Sequence, residues 1–101
     1  MFVYNLTIKV DNKILYKWIG WLKEEHIPEI MATNLFTESR FFELLEPGDP
    51  DASTFTLQCF TDSKEKYNMY MNKYAGSLSE KALKRWGDNF VSFETFMQTV
   101  H

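Results

Sequence analysis

The spacing of apolar residues along this chain alternates between a repeat of two and the helical repeat of 3.6 residues. A repeat of two indicates a strand, and an apolar stripe at three- and four-residue intervals indicates an amphipathic helix. These patterns follow the order strand, helix, strand, strand, helix, strand in six segments: Phe2–Val10, Ile14–Met31, Phe36–Leu45, Thr54–Phe60, Ser63–Trp86 and Phe90–Met97. This is the order of the split βαβ arrangement. We therefore predict an α+β fold of ferredoxin-like βαββαβ topology, in one domain over residues 1–101.

The predicted architecture is a four-stranded antiparallel sheet with two helices on one face, and capping residues set the expected helix ends. Asp11 is expected to cap the first helix, and Pro28 to interrupt it, because proline lacks an amide donor. Asp62, with a glutamate three residues later, resembles a capping box that begins the second helix. Gly76 is expected to end that helix before a further helical piece. Segment 46–51, rich in Pro, Gly and Asp, predicts a hairpin loop.

The two faces of the predicted strands differ in polarity. Asn5 and Thr7 of the first strand, and Gln58 of the third, lie opposite the apolar side chains of their strands. If these polar faces share one side of the sheet, they form a surface without helices. Phe60 and Phe93 on that side indicate that another protein surface covers it, because large exposed apolar patches usually mark interfaces. We therefore predict a homodimer through the sheet faces, and the alternative is an open sheet in a monomer.

His26 is the best candidate for chemistry, because imidazole titrates near neutral pH and can transfer a proton in a cleft. Its spacing from Trp18 and Leu22 places it on the buried stripe of the first helix, next to Pro28. We expect a concave pocket beside these residues. The other interpretation is a structural histidine whose ring bonds a backbone carbonyl that Pro28 leaves free.

The amino-acid composition limits the kinds of molecule that the chain is expected to bind. The chain has 101 residues, of which 45% are hydrophobic and 17% aromatic, enough for one packed core. Net charge is −3 and the basic residues are scattered, so we expect no nucleic-acid partner. No apolar run approaches the roughly 20 residues that cross a bilayer, so we expect no membrane contact. The single cysteine, Cys59, excludes an intrachain disulfide and favours a reduced, cytoplasmic setting.

Motifs for bound cofactors are absent from the sequence. None of the four glycines belongs to a glycine-rich loop of the kind that follows a strand and cradles phosphates. Two histidines and one cysteine, widely separated, do not make a recognisable zinc site. We therefore expect neither a metal nor a cofactor.

Three stretches carry a resemblance to a known family, namely Val3–Thr7, Trp18–Glu29 and Arg85–Phe93. They are similar to a small bacterial family catalogued as a domain of unknown function and placed near the dimeric α+β barrel superfamily. The resemblance implies two sheets that pair face to face into a barrel. The superfamily includes cofactor-independent monooxygenases, haem-degrading oxygenases, muconolactone-type isomerases, polyketide cyclases and proteins of the EthD type.

The resemblance also bears on individual residues. A histidine followed two residues later by a proline, after an aromatic first helix, occurs in the EthD-like branch and implies a pocket role for His26. Asn5 resembles a pocket asparagine of the monooxygenase branch. Haem-degrading relatives carry an axial histidine on the second helix, where this chain has tyrosines, so haem is not expected. The resembled family has no assigned reaction, so the resemblance implies the fold more than the function.

Two functions remain open from the sequence. The first is a cofactor-independent enzyme or binder that acts on a small apolar or aromatic molecule in a pocket between the sheet and the first helix. His26 would transfer a proton, while Asn5 and Gln58 would hold a carbonyl or hydroxyl oxygen. The candidate ligand-binding residues are Asn5, Thr7, Trp18, Leu22 and Gln58. The second is a non-catalytic, dimeric interaction module in which the same polar groups satisfy one another.

Overall fold

A computed structural model describes all 101 residues, as a four-stranded antiparallel sheet with helices on one face. The strands are β1 (Phe2–Asp11), β2 (Glu38–Leu44), β3 (Ala52–Thr61) and β4 (Phe90–Gln98). Their order across the sheet is β2-β3-β1-β4, which confirms the predicted ferredoxin-like topology. Strand ends differ from the prediction by at most two residues, and the loop between β2 and β3 contains the predicted segment 46–51.

Two helical arms cover one face of the sheet. The first arm consists of a 3₁₀ turn (Asn12–Ile14), α1 (Leu15–Trp21), a π-helical turn (Leu22–His26) and α2 (Ile27–Met31). The second arm consists of α3 (Lys64–Tyr70), a π-helical turn (Met71–Ala75) and α4 (Gly76–Trp86). No helix in the structure has the length and the apolar character that a membrane span requires.

The first arm is continuous, so the predicted interruption at Pro28 is wrong. In the π-helical turn before it, the amide of Ile27 donates to the carbonyl of Leu22, five residues back. Pro28 then lies in the first turn of α2, where a missing amide donor is tolerated. The cap at the start of the arm is confirmed, because the Asp11 carboxylate accepts a hydrogen bond from the Lys13 amide at 2.8 Å.

The second arm begins and ends differently from the prediction. Ser63 rather than Asp62 is its N-cap, since the Ser63 hydroxyl accepts a hydrogen bond from the Lys66 amide at 3.2 Å. Asp62 lies 3.7 Å from the Lys66 ammonium instead. Gly76 does not end the arm, because its backbone has ordinary helical dihedral angles and α4 continues to Trp86.

The strand register places the polar residues of β1 and β3 on one side of the sheet, so the condition for a helix-free polar surface is met. Asn5 pairs with Gln58, and Thr7 pairs with Thr56. We call this helix-free side the open face; it carries Val3, Asn5, Thr7 and Lys9 of β1, the residues that pair with them in β3 and β4, and Glu38, Arg40, Phe42 and Leu44 of β2. The sheet therefore has one apolar face beneath the arms and one mixed face without helices.

Two groups of buried side chains form the core between the sheet and the arms. One group includes Tyr4, Leu57 and Tyr70, and the other includes Ile8 and Trp18. Leu6, at the centre of β1, packs against both groups and is only partly buried. The space beside Leu6 is the cavity described next.

Candidate functional site

A cavity of about 310 Å³ lies between the sheet and the two helical arms. Of its 16 lining residues, 12 are hydrophobic, which is typical of a site for a small organic molecule. Tyr4, Leu6 and Ile8 of β1 line it on the sheet side. Ser79 of α4 and Glu94 of β4 also line it, and both are exposed, so they mark its mouth. The cavity thus opens between α4 and edge strand β4.

His26 lies in the wall that the first arm contributes, with 9% of its surface exposed. Its imidazole stacks on the indole of Trp21, with ring centroids 4.6 Å apart. The ring makes no hydrogen bond to the protein, and neither of its nitrogens is fully enclosed. The interpretation in which it bonds a carbonyl freed by Pro28 is therefore wrong.

The surroundings of His26 favour the neutral imidazole. Burial lowers its pKa below the ordinary value, the Lys81 ammonium lowers it further, and the Glu29 carboxylate opposes both effects. A neutral imidazole has one nitrogen that donates and one that accepts a hydrogen bond. At neutral pH, His26 can therefore accept a proton from a molecule in the cavity.

His26 also borders a second, charged groove between the two arms, of about 450 Å³. Ion pairs cross this groove at 3.0 Å between Lys81 and Glu29 and at 3.8 Å between Arg85 and Glu25. All four of these charged residues are exposed. The imidazole thus stands between an apolar cavity and a hydrated groove, through which a proton on the ring can exchange with water.

Two tyrosines that the sequence did not single out also line the cavity. Tyr4 and Tyr70 are each 2% exposed, and their ring centroids are 5.6 Å apart. Burial is the main cause that raises the pKa of both phenols, and the nearby Glu94 carboxylate adds to it. Both hydroxyls are thus protonated donors at neutral pH. Alternation and helical spacing identify both residues as buried, but only the packed structure shows that they reach a cavity.

The residues predicted to bind a ligand fall on two sides of the sheet. Trp18 and Leu22, each 1% exposed, line the cavity together with His26. Asn5 and Gln58 pair across β1 and β3 on the open face, away from the arms. The backbone of the sheet separates them from His26, so one subunit cannot use all of them in a single pocket.

On the open face, the predicted polar residues bond to one another. The Asn5 side-chain amide donates to the hydroxyls of Thr7 and Thr95, both at 3.2 Å. Asn5 is 8% exposed although no helix covers it, because the neighbouring strands crowd its side chain. A ligand-binding role for Asn5, Thr7 and Gln58 stays a prediction. The structure has no group of three or more His, Cys, Asp or Glu side chains that could hold a metal ion.

The sheet order and its two helical arms define a ferredoxin-like α+β protein, and solved structures share this fold. An EthD family protein from Bacillus halodurans C-125 has a TM-score of 0.71 at 12% identity, over 99% of this chain and 100% of that one. A dimeric ferredoxin-like protein from an uncultured marine organism has a TM-score of 0.67 at 16% identity, over 100% of this chain and 96% of that one. A monooxygenase from the gene ActVA-Orf6 of Streptomyces coelicolor, in complex with nanaomycin D, has a TM-score of 0.59 at 12% identity. The match covers 99% of this chain and 89% of that one.

Sequence similarity assigns the family. Residues 1–100 match the domain of unknown function DUF4286, and the chain belongs to this family. The resemblance seen in the sequence is thereby confirmed. No curated protein is detectably similar to the chain in sequence.

Proposed function

We propose that this protein is a homodimer that binds a small apolar or aromatic molecule in the cavity, and that His26 transfers a proton to or from that molecule. One observation carries the proposal: a mostly apolar cavity of about 310 Å³ contains a buried imidazole without a partner in the protein. Apolar walls favour an apolar ligand, because binding removes both surfaces from water. The neutral imidazole supplies a base at the ligand.

The proposed dimer rests on the open face. Its edge strands expose large apolar side chains, with Phe42 at 49%, Phe93 at 61% and Met97 at 41% exposure. In the strand register, Phe42 and Phe93 lie at the two ends of one row that crosses the sheet through Thr56 and Thr7. A second copy would cover these side chains, and two proteins of similar fold are described as dimeric.

A second candidate function is a non-catalytic interaction module. The hydrogen bonds from Asn5 to Thr7 and Thr95 favour it, because they satisfy polar groups of the open face without a ligand. It does not account for His26, whose ring nitrogens have no such partners. We therefore assign the open face to dimer formation and the cavity to ligand binding.

A cytoplasmic location is part of the proposal. The only cysteine, Cys59, is a free and buried thiol, as suits a reducing compartment. Fractionation of cells that express the protein should recover it with cytoplasmic markers. Recovery with periplasmic or extracellular markers would contradict this part.

Ligand binding can be tested by NMR with ethylbenzene, an uncharged apolar probe. Trp18 and Trp21 line the cavity and Trp86 does not, so the three indole N–H signals report on the cavity with an internal control. We expect saturable shifts at Trp18 and Trp21, and smaller ones at Trp86. Ala82→Phe, at a buried cavity position, should abolish them, whereas Ala32→Phe, at an exposed position, should not. Absence of saturable shifts in the unmodified protein would overturn the binding function.

Proton transfer can be tested with acetophenone, whose methyl protons exchange for deuterium when a base removes them. The unmodified protein should accelerate this exchange in D₂O, and His26→Gln should abolish the acceleration. His101→Gln, at the exposed chain end, is the matched control and should keep it. If the unmodified protein gives no acceleration, His26 has no proton-transfer role towards a bound carbonyl compound.

A further inference from the structure

The Tyr4 hydroxyl of the cavity has a hydrogen-bond partner in the Glu94 carboxylate. Two other polar groups of the cavity have no hydrogen bond to the protein, namely the hydroxyl of Tyr70 and the imidazole of His26. Each belongs to a residue that is at least nine-tenths buried. Buried hydroxyl groups are nearly always hydrogen-bonded, since an unpaired one is costly. Neither of these two groups is fully enclosed, so each remains open to a molecule in the cavity.

The chemistry of these groups specifies the partner they need. Phenolic hydroxyls are strong donors, and the environment of Tyr4 and Tyr70 keeps both protonated. An acceptor oxygen on a ligand in this cavity would therefore satisfy the hydroxyl of Tyr70. The rings of Trp18 and Trp21, also in the wall, suit an aromatic body.

The charged residues that line the cavity limit the class of ligand further. Glu94 is the only acidic residue that lines the cavity, and no lysine or arginine lines it. It pairs with Leu6 in the register and lies on the helix side of β4, at the cavity mouth. An anionic ligand would meet a like charge there and find no cation inside, so the arrangement disfavours carboxylates and phosphates.

We propose that the cavity recognises a neutral aromatic carbonyl compound, whose oxygen accepts a hydrogen bond from the hydroxyl of Tyr70. This inference rests on the proposed binding function and adds its specificity. Tyr70 is then a binding residue, and Glu94 excludes anions.

Three probes of similar size separate the contributions: ethylbenzene has no oxygen, acetophenone has a neutral carbonyl, and benzoate has a negative charge. We expect acetophenone to bind more tightly than ethylbenzene by about 2- to 12-fold for each hydrogen bond formed. Benzoate should bind more weakly than either. Tyr70→Phe should remove the preference for acetophenone and leave the ethylbenzene dissociation constant unchanged. Glu94→Gln should improve benzoate binding relative to acetophenone.

The outcomes keep the two proposals apart. If ethylbenzene binds and acetophenone binds no more tightly, or if Tyr70→Phe does not change the ratio of their dissociation constants, the carbonyl inference is overturned and the binding function stands. If no probe binds, both fail. Should Tyr70→Phe fail to give a cooperative thermal melt, the comparison of the three probes on the unmodified protein decides the inference alone.

Discussion

The indole of Trp21 and the imidazole of His26 stack in the first arm, with ring centroids 4.6 Å apart and ring planes 24° apart. These residues are five positions apart, whereas side chains that meet on an α-helix are three or four apart. The π-helical turn changes this spacing, because its hydrogen bonds join residues five apart, as the bond from Ile27 to Leu22 shows. The backbone of this turn thus sets the position of His26 in the cavity wall.

The lowered pKa of His26 predicts a pH dependence of stability. Its ordinary value is 6.5, and the folded-state pKa is lower because of burial and Lys81, against the effect of Glu29. Between the folded-state pKa and the ordinary pKa, the unfolded chain therefore binds more protons than the folded chain. Neutral His26 thus contributes stability to the folded protein above the ordinary pKa, and this contribution is lost as the pH falls below that value. Urea unfolding at pH 8 and pH 5.5 should show a smaller pH dependence in His26→Gln than in the unmodified protein.

The matched control for this measurement is His101→Gln, since His101 is exposed at the chain end. It should keep the pH dependence of the unmodified protein. Equal pH dependence in His26→Gln and His101→Gln would show that His26 has the same pKa in the folded and unfolded chains.

The proposed dimer predicts a large effect of charge on the open face. Phe93→Glu places a carboxylate on a row of the sheet that a second copy would cover. Burial of an unpaired charge is unfavourable, so the variant should be a monomer by light scattering at concentrations where the unmodified protein is a dimer. Tyr16→Glu, at an 88% exposed aromatic residue on the first arm, should remain a dimer. A monomeric unmodified protein at high concentration would contradict the proposal.

Asn5 should contribute to the stability of the sheet and not to ligand binding in the cavity. Asn5→Ala removes the hydrogen bonds to Thr7 and Thr95, and we expect a loss of about 1–2 kcal/mol in the free energy of unfolding. The dissociation constant for ethylbenzene should stay unchanged, because the sheet lies between this residue and the cavity. A marked change in that constant at full stability would instead place Asn5 at the ligand site, as the sequence suggested.

Cys59 should be unreactive in the folded protein. The side chain is 1% exposed, and burial raises the pKa of its thiol to about 12. The thiolate is the reactive form, so Ellman's reagent at pH 8 should modify Cys59 only after guanidinium unfolds the chain. Ser77→Cys adds a thiol at an exposed position and should react at once in the folded state. Rapid modification of Cys59 itself would show that β3 opens locally.

The strands were predictable because each has one face under the arms, and that burial imposes alternation on the sequence. Phe55, Leu57 and Cys59 of β3 are all buried, while the residues between them are less so. The helix ends were less predictable. Pro28 disfavours an α-helical turn before it, yet the first arm stays helical, with a π-helical turn ahead of Pro28. The second arm contains a similar turn without a proline. Whether a helix breaks or continues depends on packing against the sheet, which the local sequence does not show.

The candidate site was predictable only in part, for a similar reason. Helical spacing from Trp18 and Leu22 placed His26 on a buried stripe, and all three residues line the cavity. Tyr4 and Tyr70 are equally buried, and nothing in their spacing separates a residue that fills the core from one that borders a space. That difference depends on how β1, β4 and the two arms pack around the cavity, which involves residues far apart in sequence.

Strand β4 gives alternate residues to two different surfaces. Ser92 and Glu94 line the cavity, while Phe93 and Thr95 between them lie on the open face. A ligand that displaces this edge strand would also displace part of the surface proposed to meet a second copy. Any such coupling is reciprocal: the factor by which ligand changes the dimer dissociation constant equals the factor by which dimer formation changes ligand affinity. Ligand binding in the cavity and dimer formation would then be coupled equilibria, and a measurement of either would report on the other.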